Sequence, residues 1–162
     1  MGKIEDRLAD LGLTLPPPVA VPPGVEFPFA FVNVVGDRGI VSGHGPQAAD
    51  GSLAGPLGVV GTDLTVDQGY DAARLVGLSM LGSLQRELGT LDRIRAWVKA
   101  LGLVRSTSDF TRQPAVINGF SDLILELFGP DVGRHARSAI GVSSLPFGIP
   151  VEIEAEVLIG DA

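Results

Sequence analysis

A chain of 162 residues, 45% of them hydrophobic and 19% charged, is long enough for a single core and too apolar for a disordered segment. Twelve Lys and Arg against nineteen Asp and Glu leave a net charge of −7, a field that repels polyanions, so nucleic acid is not an expected partner. The lack of cysteine excludes disulfides, thiolate catalysis and cysteine-ligated zinc, and fits a reducing cytoplasm.

The first thirteen residues mix Lys3, Glu5, Asp6, Arg7 and Asp10 with apolar ones, which is not the pattern of a secretory leader. No apolar run has the length and composition of a membrane span, so a soluble protein with no membrane partner is expected. Ile4, Leu8, Leu11 and Leu13 are spaced as on a helix. Pro16, Pro17, Pro18, Pro22 and Pro23 then force an extended strap. Residues 1–25 thus read as a helical arm and proline-rich strap, and 26–162 as one domain.

Phe29–Val35 and Arg38–Ser42 read as two strands joined by a tight Gly36-Asp37 turn. Ser42-Gly-His44-Gly45 follows as a turn, and Ala48–Gly61, with four glycines, as a loop. Thr65-Val-Asp-Gln68 has the capping-box spacing. After it Ala73, Gly77, Met80, Leu84 and Leu88 trace one helical stripe, closed by Gly89. Arg93–Val104, rich in β-formers and set between two helices, reads as a strand, although its pattern also admits a helix. A second helix starts near Pro114, with Val116, Ile117, Phe120, Leu123, Ile124, Leu127 and Phe128 on its apolar face, and ends at Gly129. After a polar loop from Pro130 to Arg134, Ala136–Ser144 and Val151–Ile159 read as the strands of a closing hairpin.

This order predicts an α+β fold, a mixed sheet with two helices on one face and nothing on the other. In the last strand Val151, Ile153, Ala155 and Val157 alternate with Glu152, Glu154 and Glu156, so the uncovered face carries carboxylates. Water or another subunit must meet that face, and a homo-oligomer is expected.

Few residues advertise chemistry. Arg137 begins a strand, where loops deliver functional groups onto a rigid scaffold. Its guanidinium suits a carboxylate ligand, and a surface ion pair is the alternative reading. Glu152, on the strand expected to pair with that of Arg137, could orient or deprotonate a water or equally form an ion pair. Asn118 interrupts the second helix off its apolar stripe and could hydrogen-bond a ligand or simply face solvent. Two histidines, His44 and His135, and no cysteine offer no zinc spacing, so neither metal nor cofactor is expected.

Together, Ala136-Arg137-Ser138-Ala-Ile-Gly-Val142, Leu145-Pro146, Val151-Glu152-Ile-Glu154-Ala155 and the upstream Val41-Ser42-Gly43 closely resemble the Rid (YjgF) superfamily of reactive-intermediate deaminases. The resemblance runs from about Pro28 to Ile159. It implies a chorismate-mutase-like fold and a homotrimer with ligand sites in clefts between subunits. It also implies cofactor-independent hydrolysis of 2-imino or enamino acids to keto acid and ammonia. In that family the arginine matching Arg137 binds the substrate carboxylate and the glutamate matching Glu152 positions the water. Residues matching Ser42 and Asn118 lie at or beside the cleft. Two positions depart: Phe29 stands where many active members have tyrosine, and Ala139 where they often have cysteine. The alternative reading is therefore a non-catalytic trimer that binds a small carboxylic metabolite. RNA cleavage, attached by name to some relatives, is opposed by the acidic charge.

Overall fold

The computed structural model describes residues 2–21 and 23–161; Pro22 of the strap lies outside them. In chain order the elements are α1 (Lys3–Asp10), β1 (Val32–Val35), β2 (Arg38–His44), α2 (Val66–Leu88), β3 (Ile94–Arg105), α3 (Gln113–Gly133), β4 (Ala136–Val142) and β5 (Val151–Ile159). The strands form one mixed sheet in the order β1-β2-β5-β3-β4. The β1–β2 hairpin turns at Gly36, whose φ of 61° lies in the left-handed region that glycine enters without strain. β3 and β4 are parallel, while β5 runs antiparallel to both β2 and β3. The segments carrying α2 and α3 are the crossovers that parallel strands require.

The capping box is present as spaced: Gln68 N–H donates to Thr65 Oγ1 at 3.1 Å and Thr65 N–H to Gln68 Oε1 at 2.9 Å. Val76 through Leu84 are all buried, because this stretch lies between the sheet, α3 and the proline strap. Trp97, Phe120, Ile117 and Leu127 are enclosed on the same side, with Trp97 edge-on to Phe120 and Phe128 at 5.6 and 5.7 Å. Fully burying side chains of this size contributes about 1.5–3 kcal/mol each. α2 and α3 cross so tightly at Gly119 that a Cβ there would collide with the Tyr70 carbonyl.

Several expectations need correction. Phe29, Ala30 and Phe31 precede the first strand, which starts at Val32. Ser42, Gly43 and His44 belong to β2 and are not a separate turn; an irregularity in register between Val41 and His44 opposite β5 accommodates them. The main helix of α3 ends at Gly129 as expected, where φ 72° and ψ 173° are not helical, but the expected loop from Pro130 is a short further helical turn to Gly133. Pro130 suits that turn because its missing N–H is one a helix start leaves unpaired anyway. The final two strands form no hairpin: β3 lies between β4 and β5, so β4 extends the parallel crossover through α3.

α2 and α3 pack on one face of the sheet, and β5 alternates as expected. Val151, Ile153, Ala155, Val157 and Ile159 are buried, while Glu152, Glu154, Glu156 and Leu158 lie on the open face. Among the described residues no helix is long and apolar enough to cross a membrane.

Candidate functional site

Arg137 lies opposite Ala100 on β3, which in turn faces Ala155 on β5. Both alanines are buried, so by strand alternation Arg137 emerges on the helix-bearing face at the sheet edge. There its Nη1 donates to Ser121 Oγ at 3.0 Å and its Nη2 to the Pro114 carbonyl at 3.2 Å. Both acceptors are on α3, and Asn118 occupies the helical turn between them. Asn118 is exposed, and its side chain makes no hydrogen bond among the described residues. Ala139, two residues beyond Arg137, is half-buried against the core.

Ser121 is held in turn by His135. The His135 Nδ1 lies 2.8 Å from the Gly133 carbonyl and Nε2 lies 3.0 Å from Ser121 Oγ. A carbonyl only accepts, so Nδ1 carries the proton, and Nε2 of the neutral ring accepts from the Ser121 hydroxyl. That leaves a Ser121 lone pair to accept from Arg137. Burial is the main cause that lowers the His135 pKa below 6.5; the Gly133 hydrogen bond opposes this and the Arg137 charge reinforces it. Burial also lowers the Arg137 pKa, against the favourable charge of Asp122.

Glu152 is elsewhere. Its register partner is Leu103 on β3, facing Ile140 on β4, on the open face of the sheet. The expected pairing of its strand with that of Arg137 is thus replaced by an intervening strand and opposite faces, and a single protomer does not bring the two side chains together. The half-buried Glu152 lies over Gly43, where a Cβ would run into the carboxylate. Burial raises its pKa above 4.5, with the neighbouring Glu154 charge adding to the effect. Glu156, by contrast, is paired with Arg38 on β2.

Ser42 is a neighbour of this second group. Its hydroxyl donates to the Ala30 carbonyl at 2.7 Å, and it lines a depression of about 410 Å³ on the open face with Lys99, Leu101 and Glu154. Beside it Phe27, Phe29 and Phe31 pack ring against ring at 5.2–5.3 Å, and Phe29 remains half exposed. The six sequence-predicted residues therefore divide: Arg137, Asn118 and Ala139 belong to the α3–β4 side, while Ser42, Phe29 and Glu152 belong to the side of β1, β2 and β5.

Sequence reasoning missed Ser121 and the use made of His135. The available signal was the His135-Ala-Arg137 spacing, which puts both side chains on one face of an extended segment. Among the described residues no three His, Asp or Glu side chains converge as metal ligands would.

Comparison with known proteins agrees with this architecture. Residues 5–150 match a family model described as "YjgF/chorismate_mutase-like, putative endoribonuclease". Protein TCP17 of Trypanosoma cruzi is 42% identical over 158 residues, covering 96% of this chain and 94% of that protein. The crystal structure of Atu1372 from Agrobacterium tumefaciens, a protein of unknown function, superposes with a TM-score of 0.85 at 39% identity, covering 97% and 92% of the two chains. TdcF of E. coli with bound serine shares the fold at 18% identity, with a TM-score of 0.59 over 91% of this chain and 96% of that one. With the mixed sheet, its two crossover helices and a family match over most of its length, the chain belongs to the YjgF/chorismate-mutase-like family, the Rid superfamily.

Proposed function

We propose that this protein hydrolyses small 2-imino or 2-enamino acids to 2-keto acids and ammonia without a cofactor, with Arg137 clamping the substrate carboxylate. One observation carries the reading. The partly buried Arg137 guanidinium has only neutral acceptors, a hydroxyl and a carbonyl, and no carboxylate within ion-pairing distance among the described residues. With Asp122 near enough to act on its charge but no protein anion in contact, this partly buried guanidinium has room for a ligand anion, and a planar carboxylate fits its fork. A relative with this fold carries bound serine, which bears such a carboxylate.

In the proposed reaction water adds to the imine carbon, its proton passes to the nitrogen, and the resulting carbinolamine expels ammonia to leave a carbonyl. Glu152 would orient the water and relay its proton. Its raised pKa brings it closer to neutrality, which suits a group that must both take and return a proton. Because Arg137 and Glu152 emerge on opposite faces, the cleft would take Arg137 from one protomer and Glu152, with Ser42 and the Phe29 wall, from its neighbour. A homotrimer with three such clefts also covers the open sheet face.

The test is ammonia release from 2-imino acids generated in situ by an amino-acid oxidase. Failure to accelerate hydrolysis of any of them rejects the reading. A second reading, a non-catalytic trimer holding a small carboxylic metabolite, is favoured by Phe29 and Ala139, which supply neither hydroxyl nor thiol. Glu152→Gln separates the two: hydrolysis requires loss of turnover with keto-acid binding kept, whereas pure binding predicts no turnover in either protein. RNA binding with steep salt dependence would reject both, and the net charge of −7 opposes it.

A further inference from the structure

We propose that Ser121 and His135 are positioning residues that fix the Arg137 guanidinium at the mouth of its site. The inference rests on the carboxylate-clamp reading for its functional consequence, but not for its structural content. Arg137 reaches its place on a long, rotatable side chain at a sheet edge, and its ligand must meet a fork of defined orientation. Two bonds set that orientation, from Nη1 to Ser121 Oγ (3.0 Å) and from Nη2 to the Pro114 carbonyl (3.2 Å). The second is to backbone and is fixed by α3. The first is to a hydroxyl, which rotates and can offer either a lone pair or its hydrogen.

His135 removes that ambiguity. The Gly133 carbonyl holds the proton on Nδ1, so Nε2 requires the Ser121 hydrogen and turns a lone pair toward Arg137. Phe120, edge-on to the imidazole at 5.5 Å, helps fix the ring plane. The relay thus passes orientation from the α3–β4 junction to the guanidinium.

The arrangement works with a neutral imidazole. A protonated His135 would present a hydrogen from Nε2, reverse the Ser121 bond and set a cation beside Arg137. The charged groups around it are Arg137 on β4, Arg134 next in the chain, and Asp122 and Glu126 on α3. Glu126 is ion-paired with Arg74 of α2 at 2.8 Å, and Asp122, which accepts from Tyr70 at 2.9 Å, already offsets the charge of Arg137, so a second cation beside Arg137 would share one carboxylate. Carboxylate affinity should therefore hold above pH 6.5 and fall as acidification protonates His135.

The experiment compares the intact protein with Ser121→Ala, Ser121→Thr and His135→Gln. Pyruvate affinity is followed by titration, and the arginine side-chain nitrogens by ¹⁵N NMR. Ser121→Ala should weaken pyruvate binding about tenfold, the scale of one hydrogen bond to a charged group, and merge the separate Nη signals of Arg137. Ser121→Thr should restore both, and His135→Gln should remove the acid limb of the affinity profile. Unchanged Nη signals in Ser121→Ala would overturn the proposal, as would an unchanged acid limb in His135→Gln. If the wild type binds no pyruvate while Ser121→Ala still releases the Nη signals, positioning stands and the clamp reading falls.

Discussion

The molecule contains the same relay twice, with opposite ends. At α3 and β4 it runs His135, Ser121, Arg137. At α2 and β2 it runs His44, Ser83, Arg86: the His44 Nδ1 faces the Ser42 carbonyl at 2.6 Å, Nε2 meets Ser83 Oγ at 2.9 Å, and Arg86 Nη2 donates to that oxygen at 3.1 Å. In both, the imidazole bonds the carbonyl two residues before it and turns a helix serine toward an arginine. The difference lies beyond the arginine. Arg86 spends its Nη1 on the Pro16 carbonyl of the strap at 3.1 Å, and His44 beneath it is only 3% exposed. Arg137, the less exposed of the two, likewise gives its Nη2 to a proline carbonyl, that of Pro114, but on the same helix as its serine. One relay ties a separate segment to α2; the other closes on its own helix, and neither arginine meets a carboxylate among the described residues. The lesson is that an arginine's role follows from what its last free N–H groups meet.

The largest effect should separate the two arginines. Arg137→Ala should lower kcat/KM for imine hydrolysis about a hundredfold or more, the scale of removing one partner from a charge-assisted pair. Arg86→Ala should leave kcat/KM within about twofold. Parallel assays of both variants on one imine substrate decide it, and equal losses would mean that the strap relay also serves the site.

Acid should distinguish the histidines by their burial. Burial lowers both pKa values below 6.5, with the Arg86 charge adding to the effect at His44 as Arg137 does at His135. A histidine whose folded pKa is depressed stabilises the fold fully above its unfolded value near 6.5. That contribution is lost as pH falls through the folded value. Denaturant unfolding measured between pH 8 and pH 5 should therefore show stability falling below about 6.5. His44→Gln should flatten that fall more than His135→Gln, because His44 is the more deeply buried. Equal flattening would break the ranking. Glu152 acts in the opposite sense: its raised pKa favours the fold fully at the acid end, and the contribution is lost as pH rises through the folded value.

How far the chain itself discloses this depends on the kind of information. The strong periodic signals, in the stripe from Ala73 to Leu88 and in the alternation of Val151 to Val157, are local and appear in the structure as written. The capping box at Thr65 is equally local. Strand neighbours are not: nothing in Ala136–Ser144 or Val151–Ile159 says that β3 will lie between them, and the short connection favours a hairpin that the parallel crossover overrides. Arg137 was legible because its motif stands in a strand-start setting. Its partner Ser121, sixteen residues upstream on another element, carries no mark. The division of Ser42 and Glu152 from Arg137 follows from sheet order, which only the assembled fold supplies.

The smallest effect sharpens the comparison from the strap side. Pro16 to Pro18 cannot be fastened through N–H groups of their own, since proline has none, so the segment depends on its carbonyls being used as acceptors. Arg86 takes that of Pro16, Gln47 Nε2 takes that of Pro17 at a longer 3.4 Å, and Pro17 rests against Gly51. Removing the Arg86 bond should cost about 1 kcal/mol, because packing at Gly51 and the Gln47 contact remain and the freed carbonyl can find water. Arg86→Ala should therefore lower the unfolding midpoint slightly and speed amide exchange at Ala48 and Gly51, whose N–H groups are bonded in the loop on which Pro17 rests, leaving exchange in α3 and β4 unchanged. Faster exchange in β4 as well would show that the two relays are coupled through the α2–α3 contact at Gly119, and that a segment fastened on one side of the molecule reaches the guanidinium on the other.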